Sequence, residues 1–545
     1  MENHVKGRGN PLQKIDKIHI GLLIAAILIF GCTFWTDTKI FTSDALNMNC
    51  LPIDQNMVPF MHVLSKILVF FVIWGMLEFF RYGIGHRRLL FAFLGFFALY
   101  ITLLLCSYPG YYMSDDTVIF GYATRYYPVY WHNYLTSLYY MVGMSLFPAS
   151  TGPIILNDLC LALTEAYIFY KADKCFHTKA RYLILLCGLL PFVLLSALMC
   201  FRPALYSPFF LFFFAFLYFE KKEKKTLTWQ KLLLLAGLAA VLCFWRSEGI
   251  VLLVFCFLLI PICYGRNIRK TLLFLLAFVI FFSTIRIPQA KGEEKYYGSD
   301  YLIISTIRPL SLIIHREQTY PGAEEDLATI DAVIDLDYIS YETLSCSSYN
   351  RYNSDYNSGR FTETGADADT QKAFLKSAFR LILHNPDLYL AERIQLFLVT
   401  NGIYDYNKSL VLGLKPVTTS EFHLYQSDRD YGYELIMGNR RLPITGSDSV
   451  SSFLFRYGGE AYLPVLGLLI LAAIFSLIKK NRFSFWVLTS LLAREAVIFL
   501  TAPASFIQYS YPTMFVTIFI LLILIIEYAD AKCINRAADR KDSQL

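Results

Sequence analysis

The chain has 545 residues, of which 56% are hydrophobic, 17% aromatic and only 17% charged, with a mean hydropathy of +0.45. Soluble domains carry about 25% charged residues, and many separate runs here reach the roughly 17–25 apolar residues that cross a bilayer. A soluble enzyme is therefore excluded, and the net charge of +6 does not indicate nucleic acid, because the basic residues lie in short loops beside apolar runs.

Lys6, Arg8, Lys14 and Lys17 place the N-terminal tail on the cytoplasmic side. The first apolar run has no small-x-small cleavage site and reads as a retained anchor. Spans are predicted at about 18–36, 58–80 and 89–107, with Arg81, His86, Arg87 and Arg88 returning inside. The third span thus delivers Tyr112-Met113-Ser114-Asp115-Asp116-Thr117 to the outer face. The stretch from Tyr134 to Phe147 is short for a span and rich in tyrosine. Counting it as a crossing would put Lys171, Lys174, Lys179 and Arg181 outside, so it is expected to lie in the interface or re-enter. Six spans then follow, at about 153–171, 181–199, 204–219, 231–245, 249–264 and 271–287.

Three regions result. Residues 1–287 form an N-terminal membrane module of nine spans whose first large outer loop, 108–152, carries the candidate catalytic groups. Residues 288–460 form a polar extracytoplasmic region, helical around Thr370 to Leu383, interrupted at Asn385-Pro386, with an interfacial helix near 391–403. Residues 461–545 supply three last spans, at about 461–478, 483–501 and 511–528, and a cytoplasmic tail. The expected fold is an α-helical polytopic membrane protein with about twelve transmembrane helices, interfacial helices and an α-rich outer region. Of the twelve cysteines, only Cys50 and Cys346 fall in outer segments, so theirs is the one disulfide this topology allows. No internal repeat is visible, which counts against the repeat-built transporters.

With orientation fixed, polar turns gather on the outer side: Asp115, Asp116 and His132, then Arg202-Pro203, Trp245-Arg246-Ser247-Glu248-Gly249, and Gln508-Tyr509-Ser510-Tyr511-Pro512. Each has a structural reading. Isolated outer arginines anchor headgroups, Glu248 pairs with Arg246 or caps a helix, His132 joins an aromatic belt beside Trp131, and the aspartates cap the helix that follows. The chemical reading is transfer of a sugar to a hydroxyl. A carboxylate serves as base, a second one beside it raises its pKa, orients it or binds a metal, and arginine forks such as Arg202 and Arg246 take the leaving phosphate. HExxH, P-loop and GxSxG motifs are absent. Asp158, Glu165 and Arg494-Glu495 lie within spans, where ionisable groups are unusual.

This pattern resembles the glycosyltransferase-C superfamily, in particular its bacterial multi-pass members. The likeness rests on Tyr108-Pro109-Gly110 with Asp115-Asp116 in the first large outer loop, and on Arg246-Ser247-Glu248-Gly249. The late turn Gln508-Tyr509-Ser510-Tyr511-Pro512 is similar to an Arg-Tyr-x-x-Pro turn. The resemblance implies an inverting transferase using a polyprenyl-phosphate sugar at the outer leaflet. Asp115 or Asp116 would be the base, and His132, Arg202, Arg246, Glu248, Gln508 and Tyr509 would line the substrate. Gln508 replaces an arginine often found there, and His132-Asn133 replaces a His-Pro. The expected partners are the lipid-linked donor and membrane lipids, in a bacterial plasma membrane with both termini cytoplasmic. No cofactor is required, and a divalent metal at the acidic pair stays open. Alternatives are an envelope polysaccharide polymerase or ligase, an acyltransferase relying on His132 or the arginines, and a lipid-linked oligosaccharide flippase.

Overall fold

In hydrocarbon every backbone N–H and C=O has to find a partner within the chain, so long apolar runs fold as helices. The computed structural model describes residues 17–42, 53–112, 114–265, 267–296, 300–336, 367–400, 462–502 and 509–542. Cys50, Cys346, Gln508 and most of the polar stretch leading to 460 lie outside the described residues. Among the described residues, nine helices are long and apolar enough to cross a membrane, as befits a multi-pass membrane protein.

The N-terminal module opens with α1 (Lys17–Ile40), α2 (Val58–Gly85) and α3 (Arg87–Cys106). A short α4 (Ser114–Ala123) and α5 (Tyr134–Leu146) precede α6 (Gly152–Cys175). After an interrupted segment come α9 (Arg202–Lys222), α10 (Trp229–Trp245), α11 (Val251–Tyr264) and α12 (Ile268–Tyr296). The last module holds α17 (Tyr462–Ile478), α18 (Arg482–Thr501) and α19 (Tyr511–Asp542). Of these, α10 and α17 are apolar but, at 17 residues each, shorter than the nine, among which α11 is counted together with the 3-10 turn Ser247–Ile250 before it. Helices α6 and α9 are central, with 78% and 83% of their apolar windows buried, whereas α1 and α12 bury 11% of theirs and face outward.

Among the described residues nine helices reach spanning length and two shorter ones are apolar, against an expectation of about twelve. The run predicted to cross at 181–199 is instead a 3-10 turn (Lys179–Leu183), α7 (Ile184–Cys187) and α8 (Pro191–Ser196). Pro191 lacks a backbone N–H and its ring clashes with the preceding turn, so a helix restarts there instead of running through. Gly188 fits the break because a Cβ at that position would lie 2.7 Å from the Phe96 ring. The segment still joins the two ends of the bundle. At one end the amides of His177 and Thr178 donate to Asp530 Oδ1 at 2.6 and 2.8 Å, beside the Lys222–Glu527 ion pair of 2.6 Å. At the other, the Leu198 carbonyl accepts from the Tyr111 amide at 2.8 Å.

Helix α5 spans 13 residues, about 20 Å at 1.5 Å per residue and too short to cross. Tyr134, Tyr140, Met141 and Met144 are buried, and the helix packs against α2, α4 and α6. Outside the bundle, α13 (Asp300–Ile313), α14 (Ala323–Asp331), α15 (Ala368–His384) and α16 (Pro386–Thr400) enclose a second core around Ile307, Leu310, Ile330, Phe374 and Leu381. Pro386 opens α16 as well as closing α15, since a first-turn proline has no amide to waste. Trp131 packs against both cores.

The α5–α6 contact is closest at Gly143, where a Cβ would come within 2.7 Å of the Pro153 backbone. Backbone cannot step aside as a flexible side chain can. Gly143→Ala is expected to cost about 1–3 kcal/mol and to lower the unfolding temperature of the detergent-purified protein, whereas Gly95→Ala, with open space around it, leaves it unchanged.

Candidate functional site

The loop from Ser107 to Asn133 lies across one end of the bundle. Gly110, at φ +97°, lets the chain turn under Ile154 so that Tyr111 pairs with the Leu198–Met199 stretch. Helix α4 begins at Ser114, which puts Asp115 and Asp116 in its first turn, where the helix dipole favours negative charge. Adjacent helical residues point about 100° apart, and the two carboxylates part company. Asp116 is 1% exposed, with the Tyr140 hydroxyl 3.0 Å from its Oδ1; that hydroxyl also lies 3.1 Å from the Cys200 carbonyl. The Asp115 side chain is 50% exposed and stands 3.4 Å from His132 Nε2. Arg202, two residues beyond Cys200, also acts electrostatically on Asp115.

Partial burial pushes the Asp115 carboxyl up. The charge of His132, its hydrogen bond and the more distant Arg202 outweigh that, and they hold the carboxyl below its ordinary value.

His132 is positioned through its neighbours. Asn133 adopts φ +67°, accepts from the Leu135 amide at 3.0 Å and donates to the Phe244 carbonyl at 2.9 Å, so one side chain both caps α5 and ties it to α10. Thr136 donates to the His132 carbonyl at 2.7 Å and accepts from Trp245 Nε1 at 3.0 Å. On the other side Gln289 donates to the Tyr130 carbonyl at 2.6 Å and accepts from the Tyr134 amide at 3.0 Å. In the sequence Asn133 is marked only as a departure from His-Pro, and no role falls to Thr136, Tyr140 or Gln289. Of those three only Gln289, polar at the end of a long apolar run, left a visible signal.

A second polar cluster lies at the α10–α11 turn. Glu248 accepts from Arg246 Nη2 at 2.6 Å and from its Nε at 3.1 Å, and Arg494 Nη2 approaches the same carboxylate at 3.4 Å. Arg494 also donates to Thr513 Oγ1 at 2.8 Å, while Ser510 donates to Glu495 Oε2 at 2.7 Å. The Tyr509 ring centre is 5.9 Å from the Arg246 guanidinium carbon. Arg246 and Glu248 are therefore partners of each other, and Glu248 is also the partner of Arg494, a mid-span residue with no evident role in the sequence. Asp115, His132 and Arg202 form one group; Arg246, Glu248 and Tyr509 belong to another. Gln508 lies outside the described residues. Among the described residues no three His, Cys, Asp or Glu side chains converge as a metal site.

No family model, no curated protein and no solved structure matches this chain.

The arginine–glutamate cluster is nearly closed to water: Arg246, Glu248 and Arg494 are 2%, 5% and 1% exposed. Removing one member of a buried pair strands the other's charge, at about 3–5 kcal/mol. Glu248→Ala is accordingly expected to lower the unfolding temperature far more than Arg202→Ala in the same thermal unfolding assay.

Proposed function

We propose that the protein transfers a sugar from a polyprenyl-phosphate donor to an acceptor hydroxyl, working at the outer face of a bacterial plasma membrane with both termini in the cytoplasm. The observation that carries this reading is the divergence of the two aspartates. One carboxylate is presented toward water between an imidazole and a guanidinium, while its neighbour is buried as a tie.

In this reading Asp115 is the base. The acceptor hydroxyl gives its proton to Asp115 as its oxygen bonds to the sugar's anomeric carbon. The bond from that carbon to the phosphate oxygen breaks, and the lipid phosphate leaves with the electron pair. Arg202, on the Asp115 side of the site, meets the developing negative charge with a planar set of donors. His132 holds Asp115 in place and ionised. Asp116 acts through Tyr140 and the Cys200 carbonyl, fixing α4 to α5 and to the stretch that leads into Arg202 at the start of α9. The helices α13 to α16, joined to the loop through Trp131, flank the acceptor side. Arg246 serves mainly as a structural partner of Glu248, which leaves Arg202 as the principal phosphate contact.

The test is incubation of the purified full chain with a panel of polyprenyl-phosphate sugars, following donor loss, including slow transfer to water, by mass spectrometry. Asp115→Asn is expected to lower turnover by about 10²–10⁴. Asp116→Asn and Tyr140→Phe should give matching, smaller losses together with reduced thermal stability. An Asp115→Asn protein that consumes donor as fast as wild type would sink the assignment.

The pH profile separates the roles of the loop residues. Because the folded-state pKa of Asp115 is lowered, the base stays ionised through the ordinary carboxylate range, about pH 4, and activity falls only as pH drops through the lowered value. The Asp115 carboxylate's contribution to stability follows the same sign: present above its unfolded pKa, lost as pH falls through the folded one. His132→Ala removes both a charge and a hydrogen bond while burial remains, so the acid limb of the rate profile should move to higher pH. An unmoved limb would place His132 outside the site.

A further inference from the structure

Helix α6 carries two carboxyl groups that the transfer reaction does not use. Asp158 and Glu165 lie seven residues apart, on the same side of the helix and about 10 Å apart along its axis, and both are fully buried. The Tyr100 hydroxyl of α3 donates to Glu165 Oε2, leaving Oε1 without a partner. Neither oxygen of Asp158 has one. Next to it, Asn157 donates to the carbonyl of Ser196, the last residue of α8, at 2.8 Å, and its own Oδ1 is unpartnered. On α6 the open atoms of these three side chains are thus all acceptors, while across from them the Ser196 hydroxyl is also without a partner.

Packed against this part of the bundle is the interrupted segment between α7 and α8. A Cβ at Gly188 would stand 3.0 Å from the Tyr100 hydroxyl, so the break itself faces the tyrosine that holds Glu165. Non-helical backbone at membrane depth is tolerated where protein buries it or where it lines a polar cavity, and broken helices beside intramembrane acids are a physical signature of ion sites. An ionised carboxylate without a donor is too costly in such surroundings; something has to supply positive charge or hydrogen. The two carboxyls are too far apart to share one metal ion, whose oxygen ligands sit within about 2–3 Å. The titratable groups facing Asp158 are Tyr100 of α3, Tyr139 of α5 and Cys160 of α6 itself, and Glu165 adds Cys187 of α7. These are hydroxyls and thiols, partners for a proton rather than a cage for a cation.

We propose that Asp158, with Glu165 below it, forms an intramembrane proton-binding site, separate from the outer aspartate site, which releases its proton when the interrupted segment 184–196 moves off α6. This rests on the packing of α6 and not on the transferase reading, and it holds whether or not a sugar is transferred.

The experiment is infrared difference spectroscopy of the full chain in lipid nanodiscs, titrated from about pH 6 to about pH 9, with hydrogen exchange of 184–196 measured over the same range. Wild type is expected to show a protonated-carboxyl carbonyl band that Asp158→Asn lacks and that Asp158→Glu shifts. The band should fade on raising the pH while exchange in 184–196 rises about tenfold, and Asp158→Asn should hold exchange low throughout. A wild-type band that persists over the whole range with unchanged exchange would overturn the proposal. So would the absence of any pH-dependent carboxyl band in wild type, or loss of the band on adding sodium at fixed pH. The wild-type titration decides even if Asp158→Asn does not fold.

Discussion

The side chain of Asn133 bears more of the local geometry than any acidic or basic residue near it. Its oxygen closes the first turn of α5 and its nitrogen reaches the last turn of α10 at the Phe244 carbonyl. An amide can do both because it carries an acceptor and donors on one rigid plane. His132 immediately precedes it, so the imidazole's position follows from that double attachment, and with it the 3.4 Å approach to Asp115. The positive φ of Asn133 is a conformation asparagine tolerates better than most residues. Where this chain has His132-Asn133, proline in the second position could supply neither the amide bond nor that φ.

Charge at this end of the bundle is used in two ways. Around Asp115 it is left facing water, where an imidazole and an arginine tilt the carboxylate toward ionisation without neutralising its reach. Around Glu248 two arginines and two glutamates are folded inward and largely cancel. The second arrangement joins the α10–α11 turn, α18 and the start of α19, elements far apart in sequence that have to be brought into register. A buried polar network of this kind specifies which helices meet, because a wrong pairing would strand a charge.

The multi-pass helical character was legible from apolar length alone, since a run of that length has to close its backbone hydrogen bonds within itself in hydrocarbon. The segment 181–199 was misread as one span because composition averages over Gly188 and Pro191, while the backbone responds to each individually. That α5 is too short to cross was legible from its length; the burial of its tyrosines was not, because it depends on neighbours, among them α2 and α6, that lie elsewhere in the chain. The candidate site was partly readable: Asp115, Asp116 and His132 stood out as polar groups in an apolar chain. Which carboxylate faces water was not readable, because a helical rotation of one residue decides it and only Tyr140 and Cys200 reveal the outcome. Arg494 could not be assigned because its partner, Glu248, is 246 residues away.

Helix α18 ends in carbonyl groups with no successor amides to bind them. Two of those, at Leu500 and Ala502, are taken by Tyr389 and Arg393 of α16, residues 107–111 positions earlier in the chain. During synthesis the closing groups therefore leave the ribosome long before the helix they close. A chain truncated before α18 would lack the carbonyls that Arg393 closes on, so α16 and the end of α18 are satisfied only together.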